Sequence, residues 1–187
     1  MIFFTSDLHF GHKNIINFCD RPFDSVEAMD KALIKNWNAA VQHDDEIYIV
    51  GDFTRDNGHA RRYLPVLNGR KYMVAGNHDK FLRDFEEKDL WLEWIKEYAV
   101  INHKGFKLVL FHYPLAEWAG FYGGSIHLHG HIHNRPIAPY WNPSIIRAFN
   151  VGVDVNDYKP VSIDEIIKRA NKIAVMSRDR AKEPLIK

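Results

Sequence analysis

The sequence predicts an α/β protein in which a mixed β-sheet core is covered by helices on the outside. Three observations support this fold class. Short β-branched or aromatic runs recur along the chain, as is typical of strands. A segment between the first two runs repeats its apolar residues at helical spacing, which indicates an α/β layer. Two later runs, Tyr98 to His103 and Lys107 to Phe111, are separated by Lys104-Gly105, which predicts an antiparallel hairpin.

Five of the predicted strands end abruptly in polar residues that can ligate metals or turn the backbone. Strand ends are rigid positions from which a scaffold can direct several side chains at one point. We therefore expect the chemistry of the protein to lie at these ends. The five runs extend over Ile2 to Thr5, Glu46 to Val50, Lys71 to Ala75, Phe106 to Phe111 and Ser125 to Leu128.

The first predicted helix follows the first strand. Its apolar residues recur at steps of three and four, and Asp24 with Glu27 forms a capping box at its start. A second helix is expected from Ala60 to Leu67, where Pro65 shortens or kinks it. The apolar face of the first helix consists of Val26, Met29, Leu33, Trp37 and Val41.

The second half of the chain contributes two further helical segments. Phe81 to Trp94 has apolar residues at mixed spacing and is predicted to be helical in part. Ser162 with Glu165 forms a capping box that opens a C-terminal helix. The apolar face of this last helix consists of Ile163, Ile166, Ile167, Ala170, Ile173 and Ala174.

Length and charge limit the architecture and the partners. The 187 residues fit a single domain, 1–187, and a chain of this size buries roughly 70% of its unfolded surface. Asp179 to Lys187 is predicted to be a charged, frayed tail. The 25 Lys and Arg residues balance 24 Asp and Glu residues, so no strong field draws the protein to nucleic acid or a membrane. This balance does not exclude an anionic substrate.

Cysteine usage and the N-terminal residues indicate the compartment. Cys19 is the only cysteine, which excludes an internal disulfide, and it cannot by itself build a thiolate metal site. The first residues contain neither a basic segment nor an apolar stretch of the length of a signal peptide or membrane span. We therefore expect a cytoplasmic protein, and the sequence gives no signal for a protein partner.

Histidine is unusually frequent. The chain has 11 histidines, four of them between Ile126 and His133, and histidine is the commonest neutral metal ligand. Asp7 and His9 lie two residues apart, so in an extended segment their side chains project to the same side and can bind one cation. Asp52 follows a strand, and its two oxygens can bridge two cations at the spacing of roughly 3.5–4 Å that two-metal sites have.

Glycines accompany the polar residues at three strand exits. Gly51 and Gly76 each follow a strand, and Gly130 precedes His131 and His133. Because glycine lacks a Cβ, the backbone there can turn sharply or approach a ligand closely.

The ordered motifs resemble the five motif blocks of the calcineurin-like metallophosphoesterases. Phe10-Gly11-His12 and Arg21-Pro22-Phe23 are similar to segments of a small bacterial and phage subgroup of that family. Ser6 departs from the pattern, since many relatives have glycine before the first aspartate. The motifs span residues 7 to 133 and are Asp7-Leu8-His9, Gly51-Asp52, Gly76-Asn77-His78-Asp79, His112 and Gly130-His131-Ile132-His133.

The resemblance implies a four-layer α/β/β/α sandwich with two mixed sheets and a centre of two divalent metal ions. By the same resemblance, His78 does not bind metal and remains free to act on the substrate. The implied ligands are Asp7, His9, Asp52 and His133 for one metal, and Asp52, Asn77, His112 and His131 for the other.

Paired cations acidify water and neutralise charge on phosphoryl oxygens, so hydrolysis of a phosphate ester is expected. The expelled alkoxide needs a proton, and His78 is the candidate acid, with Asp79 expected to orient its ring. The alternative for His78 is a structural role beside the metals. Imidazole ligands suit Zn, Fe or Ni, while the added oxygen ligands make Mn the expected ion.

Substrate recognition leaves alternatives open. His12, Asn14 and Arg21 follow the first motif closely and are candidates to bind the phosphate, although Arg21 before Pro22 also fits a surface turn. The aromatic stretch Tyr113 to Tyr122 forms either a rim that stacks on a base or a buried loop, and we favour the buried loop. Packing is expected for His127 and His129, and a solvated position for His43, His59 and His103.

Two other functions compete with a phosphodiesterase that acts on a small or nucleotide-type ester. A nuclease would use the same metals, and the basic pairs Arg61-Arg62 and Arg70-Lys71 favour it, although neither forms a broad stripe. A binding scaffold that has lost catalysis would show a broken ligand set, whereas the set is complete here.

Overall fold

The computed structural model describes residues 1–136 and 146–175, which form two mixed β-sheets with helices on the outside. The predicted fold class is confirmed. All five predicted strands are present, with ends that shift by no more than one residue. The predicted tail, Asp179 to Lys187, lies outside the described residues.

The first sheet has five strands in the order β4-β3-β2-β1-β9. Neighbouring strands from β1 to β4 are parallel, and the short β9 is antiparallel to β1. Parallel pairing brings the carboxyl ends of the strands to one edge of the sheet. The strands are β1 (Ile2–Thr5), β2 (Glu46–Val50), β3 (Arg70–Val74), β4 (Leu92–Lys96) and β9 (Val161–Ser162).

The second sheet has four strands in the order β5-β6-β7-β8. The predicted hairpin joins β5 to β6, and its turn has positive φ at Lys104 (47°) and Gly105 (84°), as a two-residue type I′ connection requires. The pairs β6-β7 and β7-β8 are parallel. The strands are β5 (Tyr98–His103), β6 (Phe106–Phe111), β7 (Ile126–His129) and β8 (Ala148–Asn150).

Side chains that alternate along a strand pack against different layers of the fold. In β1, Phe3 packs toward the helices and Phe4 toward the second sheet, because successive strand side chains point to opposite faces. The helical layer adds Met29, Leu33 and Trp37 to the first core. On the outer face of the second sheet, Trp118 packs against β6 and β8. The aromatic stretch that contains Trp118 therefore covers that face, as the buried-loop alternative predicted for part of it.

The helices are α1 (Asn14–Phe18), α2 (Val26–Ala40), α3 (Asn57–Tyr63), α4 (Lys88–Trp91) and α5 (Ile163–Ala170). The predicted cap of α2 is wrong, since Ser25 rather than Asp24 accepts the hydrogen bond from the N–H of Ala28. The cap of α5 is confirmed, because Ser162 accepts from the N–H of Glu165.

Two of the predicted helical segments have different boundaries in the structure. Asp56 caps α3 and starts it before Ala60, and the chain tightens into a 3-10 turn where Pro65 stands. In the stretch from Phe81 to Trp94, the helical part is confined to short turns, and β4 begins at Leu92. The mixed apolar spacing did not reveal this strand, because its pairing with β3 is a tertiary contact.

No helix in residues 1–136 and 146–175 is long and apolar enough to cross a membrane. The longest of them, α2, has 15 residues, about four turns.

Candidate metal centre

The strand ends of both sheets open at a common edge. The segment after β1 contacts the segment after β2, where the N–H of Asp7 donates to the carbonyl of Gly51 at 3.0 Å. In the second sheet, the N–H of Gly130 donates to the carbonyl of His112 at 2.9 Å. The N–H of His131 donates to the Asp7 carboxylate at 3.1 Å and joins the two sheets. The predicted metal ligands therefore surround one site.

Asp52 lies at the middle of this site. Its Oδ2 is 3.4 Å from Nε2 of His9 and 3.4 Å from Nε2 of His112. The side chains of all three residues are almost completely buried. A carboxylate placed between two imidazoles in this way has the position that a ligand shared by two cations needs.

The first ligand group consists of Asp7, His9 and His133, which can each direct one ligand atom to a common point. These atoms lie within 4.8 Å of one another. Both ring nitrogens of His9 are buried without a hydrogen-bond partner in the described residues. Leaving buried polar atoms unpaired is costly, and a cation at this point would be bound by such a nitrogen. The first group therefore fits a divalent metal ion.

The second ligand group consists of Asn77, His112 and His131. Nδ1 of His112 donates to the carbonyl of Val50 at 2.9 Å, which leaves the lone pair of Nε2 directed into the site. Oδ1 of Asn77 lies 3.1 Å from Nε2 of His112 and 3.1 Å from Nδ1 of His131. With the His131 proton on Nε2, three acceptor atoms face one another at this distance and are suited to a shared cation, so the second group also fits a metal ion.

Burial controls the charges of the ligands. It raises the pKa of Asp7 and lowers the pKa of His9 to about 2, which keeps the His9 ring in the neutral form that binds metals. Burial is the largest influence on Asp52 and opposes its ionisation, but the neighbouring His112 and His9 rings and the hydrogen bond from the N–H of His78 together outweigh it and lower the pKa to about 2. Asp52 therefore carries its negative charge.

Five of the seven predicted ligands have left-handed backbone conformations. The φ angles are 57° for Asp7, 52° for His9, 58° for Asp52, 70° for His131 and 50° for His133. Such conformations cost on the order of 1–3 kcal/mol each and persist where surrounding contacts hold them, commonly at functional sites. Here they turn the chain at the strand ends and bring the side chains inward.

Two glycines lie where the backbone is too close to ligand side chains for a larger residue. Gly51 has a φ of 89°, and a Cβ there would overlap the ring of His112. A Cβ on Gly130 would overlap the Ser6 hydroxyl and the Asp7 carboxylate. The expectation of close backbone approach at these positions is confirmed, and Ser6, the departure from the motif, donates to the carbonyl of Val50 at 2.7 Å.

The structure gives Asp79 different contacts from the predicted ones. Its carboxylate accepts from the N–H groups of Gly76 (2.7 Å), Asp52 (2.8 Å) and Phe53 (2.7 Å), rather than contacting the ring of His78. Burial raises the pKa of Asp79 to about 7. Asp79 thus fixes the loops that carry Asp52 and Asn77.

His78 lies beside the first ligand group. Its N–H donates to Oδ1 of Asp52 at 2.8 Å, and its ring centroid is 5.3 Å from that of His9. Nδ1 of His78 has no hydrogen-bond partner in the described residues. The residue is partly exposed, and its role as general acid stays a prediction.

The three candidate substrate residues have different positions. The ring of His12 is 5.5 Å from that of His9, and Nδ1 of His12 is buried without a partner in the described residues. Asn14 is exposed at the start of α1. Arg21 corrects the prediction, because its side chain is buried and its guanidinium is bonded to protein groups rather than open to a phosphate.

The guanidinium of Arg21 is bonded to Asp154, a residue of the site that was not predicted from the sequence. Its Nε and Nη2 donate to the two oxygens of Asp154 at 2.7 and 2.9 Å, and Nη2 also donates to the carbonyl of Asp7 at 2.6 Å. Asp154 in turn lies 2.7 Å from Nδ1 of His133. Burial is the largest influence on His133 and opposes its protonation, but the contacts with Asp154, Cys19 and Asp7 together outweigh it and raise the pKa of His133 to about 10. A carboxylate on Nδ1 orients the ring so that Nε2 faces the metal position.

The basic pairs that favoured a nuclease have partners elsewhere. Arg61 pairs with Glu87, and Arg70 pairs with Glu46. Lys71 is buried and donates to the carbonyl of Gly69 at 3.0 Å. These contacts form away from the ligand groups, so the pairs do not build a basic surface at the site.

The remaining histidines match their expected environments in part. His127 and His129 are buried on β7, and burial lowers their pKa values to about 4 and about 3. His43 is exposed, whereas His59 is only partly exposed because its ring stacks on Tyr63. His103 is likewise only partly exposed.

The chain matches known proteins over most of its length. It is 40% identical over 175 residues to the uncharacterised protein MJ1445 of Methanocaldococcus jannaschii, covering 91% of this chain and 92% of that protein. It is 30% identical over 202 residues to the gene 66 protein of Mycobacterium phage D29, covering 92% of this chain and 96% of that protein.

A solved structure and a family match agree with this relationship. The structure of AQ665 from Aquifex aeolicus, a protein of unknown function, aligns with a TM-score of 0.72 at 33% identity. The alignment covers 90% of this chain and 98% of that chain. Residues 1–172 match the calcineurin-like phosphoesterases. With its two mixed sheets and its converging ligands, the chain belongs to the calcineurin-like phosphoesterase family.

Proposed function

We propose that this protein is a phosphodiesterase with a dinuclear metal centre, in which the two ligand groups bind one divalent ion each. The position of Asp52 carries the proposal, since its Oδ2 lies 3.4 Å from a histidine nitrogen of each group. The remaining ligands stand on either side of it. The mixture of imidazole, carboxylate and amide donors suits Mn, which we favour, and also Fe, Zn or Ni.

When bound, a pair of divalent ions supplies hydroxide at neutral pH and stabilises negative charge on phosphoryl oxygens. The protein residues supply the rest. Asp7, Asp52 and the histidines fix the ions, and Asp79 holds the loops of Asp52 and Asn77 through backbone hydrogen bonds. His78, which is partly exposed, donates a proton to the leaving oxygen.

The openness of the site favours a diester. Asn77 is exposed and His131 is partly exposed, so substituents on both sides of a phosphate have room. Arg55 and Arg135 are exposed nearby, where their positive charges add to burial in lowering the pKa values of His12 and His131. Such charges attract an anionic substrate without closing around a terminal phosphate.

The test is to purify the protein, measure bound metal, and assay bis(p-nitrophenyl) phosphate and p-nitrophenyl phosphate under Mn, Ni, Zn and Mg. We expect two metal equivalents per chain and a higher kcat/KM for the diester, greatest with Mn. One equivalent at saturation would contradict the dinuclear centre. A preference for the monoester would contradict the diesterase.

The same preparation separates this function from a nuclease. A nuclease binds many phosphates, so its affinity falls steeply with salt as counterions are released. We expect hydrolysis of the small diester to change little between low and moderate salt. Efficient, strongly salt-dependent cleavage of DNA or RNA would favour the nuclease.

A further inference from the structure

Two aromatic side chains next to the ligand groups are markedly exposed to solvent. Among the described residues, three aromatic residues are markedly exposed, namely Phe18 (73%), Tyr98 (40%) and Tyr113 (38%). Two of them, Phe18 and Tyr113, contact histidines of the site or its margin. Exposed aromatic faces are unfavourable in water, and beside a reaction centre they are suited to bind a planar group.

Phe18 is on the side of the first ligand group. Its ring meets the ring of His12 edge-on at 6.4 Å between centroids, and His12 is 5.5 Å from His9. Phe18 ends α1, which is anchored by the buried residues Ile15 and Cys19. The backbone therefore holds Phe18 outward in a defined place.

Tyr113 is on the side of the second ligand group. It directly follows His112, and its ring centroid is 4.4 Å from that of His131 and 5.2 Å from that of His112. The ring thus continues the wall formed by these ligands into solvent. A group that leaves the phosphate on this side would pass over it.

A diester has a substituent on each side of the phosphorus atom, and the exposed aromatic residues stand on the two sides of the centre. We infer that Phe18 and Tyr113 each bind a planar group of the substrate, so that the substrate is a phosphodiester with nucleobase-like or other aromatic substituents on both sides. This inference rests on the proposed diesterase and names its substrate class.

The test compares esters that share one leaving group. Bis(p-nitrophenyl) phosphate has two planar groups, and methyl p-nitrophenyl phosphate has one. Stacking on an aromatic side chain contributes about 1–3 kcal/mol per base. Phe18→Ala and Tyr113→Ala should each raise KM for the first ester about tenfold. Only one of them should raise KM for the methyl ester.

A matched control and a binding measurement make the result specific. Leu90→Ala removes a side chain of similar exposure (74%) from α4, at the edge of the first sheet opposite the strand ends that carry the ligands, and should leave KM unchanged. Titration calorimetry with a dinucleoside phosphorothioate should show affinity reduced about tenfold in both site variants, with bound metal unchanged. Tyr113→Phe should bind as the parent protein does.

The outcomes distinguish this inference from the function on which it rests. If no variant or parent protein cleaves any diester, the proposed function fails. If the parent cleaves the diesters but both alanine variants keep its KM and affinity, the inference fails alone. Loss of metal from Tyr113→Ala would overturn the assignment of Tyr113, because the ring would then act by supporting His112 and His131.

Discussion

The two ligand groups differ in how deeply they are buried and how firmly they are held. Asp7 and His9 are at most 1% exposed and His133 is 6% exposed, and the Arg21–Asp154 ion pair supports this group from behind. In the second group His112 is buried, but Asn77 is exposed and His131 partly exposed. The comparison indicates a more enclosed first group and a more open second group.

This difference has a physical origin in the chain. The first group contacts the segment after β8, which supplies Asp154, and the ring of His12, which precedes α1. Among the described residues, Tyr113, which begins the aromatic stretch, packs against His112 and His131 of the second group. Because buried ligands are held by packing and by outer hydrogen bonds, we expect the first ion to dissociate more slowly than the second.

The largest effect is expected where the two groups meet. Asp52→Asn keeps the shape of the side chain but removes the shared negative charge. Turnover should fall by at least about a thousandfold, because two cations then lack the anion between them. Asp56→Asn is the matched control, since asparagine caps α3 as aspartate does. Bound metal by elemental analysis and kcat would be measured, and near-normal turnover by Asp52→Asn would disprove the bridging role.

The ion pair behind the first group should affect stability next most strongly. Arg21→Met removes one of the two cationic partners of the buried Asp154 carboxylate and leaves only His133, and removing one partner of a buried pair costs about 3–5 kcal/mol. Arg61→Met breaks an exposed pair with Glu87, which should cost less than about 1 kcal/mol. Urea unfolding of the metal-free proteins measures both. Equal losses of unfolding free energy in the two variants would mean that the Arg21–Asp154 pair stabilises the protein no more than an exposed ion pair does.

His78 lies beside the first ligand group. Its replacement tests whether the leaving oxygen is protonated on that side of the centre. His78→Ala should slow esters with alkyl leaving groups about a hundredfold or more, while p-nitrophenyl esters, which need little protonation, change less. Metal content should be unchanged, and His43→Ala, at an exposed site, is the control. Equal rates of parent and variant on the alkyl esters would exclude His78 as the acid.

The same comparison shows how far the sequence predicts the site. Asp7, His9, Asp52, His112 and His133 could be predicted because each follows a strand-like run, and strand ends meet at one edge in a parallel arrangement. The role of Asp79 could not, since its acceptors are backbone N–H groups of a separate loop. Nor could the burial of Arg21, because its partner lies 133 residues away.

The fold was predictable wherever local pattern and tertiary contact agree. The hairpin at Lys104-Gly105 and the cap at Ser162 are local and were found. β4 was not predicted, because it forms by pairing with β3. The cap of α2 was assigned to Asp24 instead of its neighbour Ser25, because the periodicity of apolar residues does not distinguish adjacent capping residues. Asp154 had a usable signal, since it follows the strand-like run that begins at Ala148, as the other site residues follow theirs.

The smallest of the expected effects on the metal centre concerns Asp154, and it separates the two groups. Asp154→Asn should weaken binding of the first ion about ten- to hundredfold, as loss of an outer carboxylate on a metal-binding histidine does. Binding of the second ion should be unchanged. Asp157→Asn, in the same loop with 86% of its side chain exposed, is the control, and stepwise metal titration by calorimetry is the measurement. A uniform weakening of both ions would show that Asp154 supports the whole edge, and the contrast between a braced first site and an open second site would then be lost.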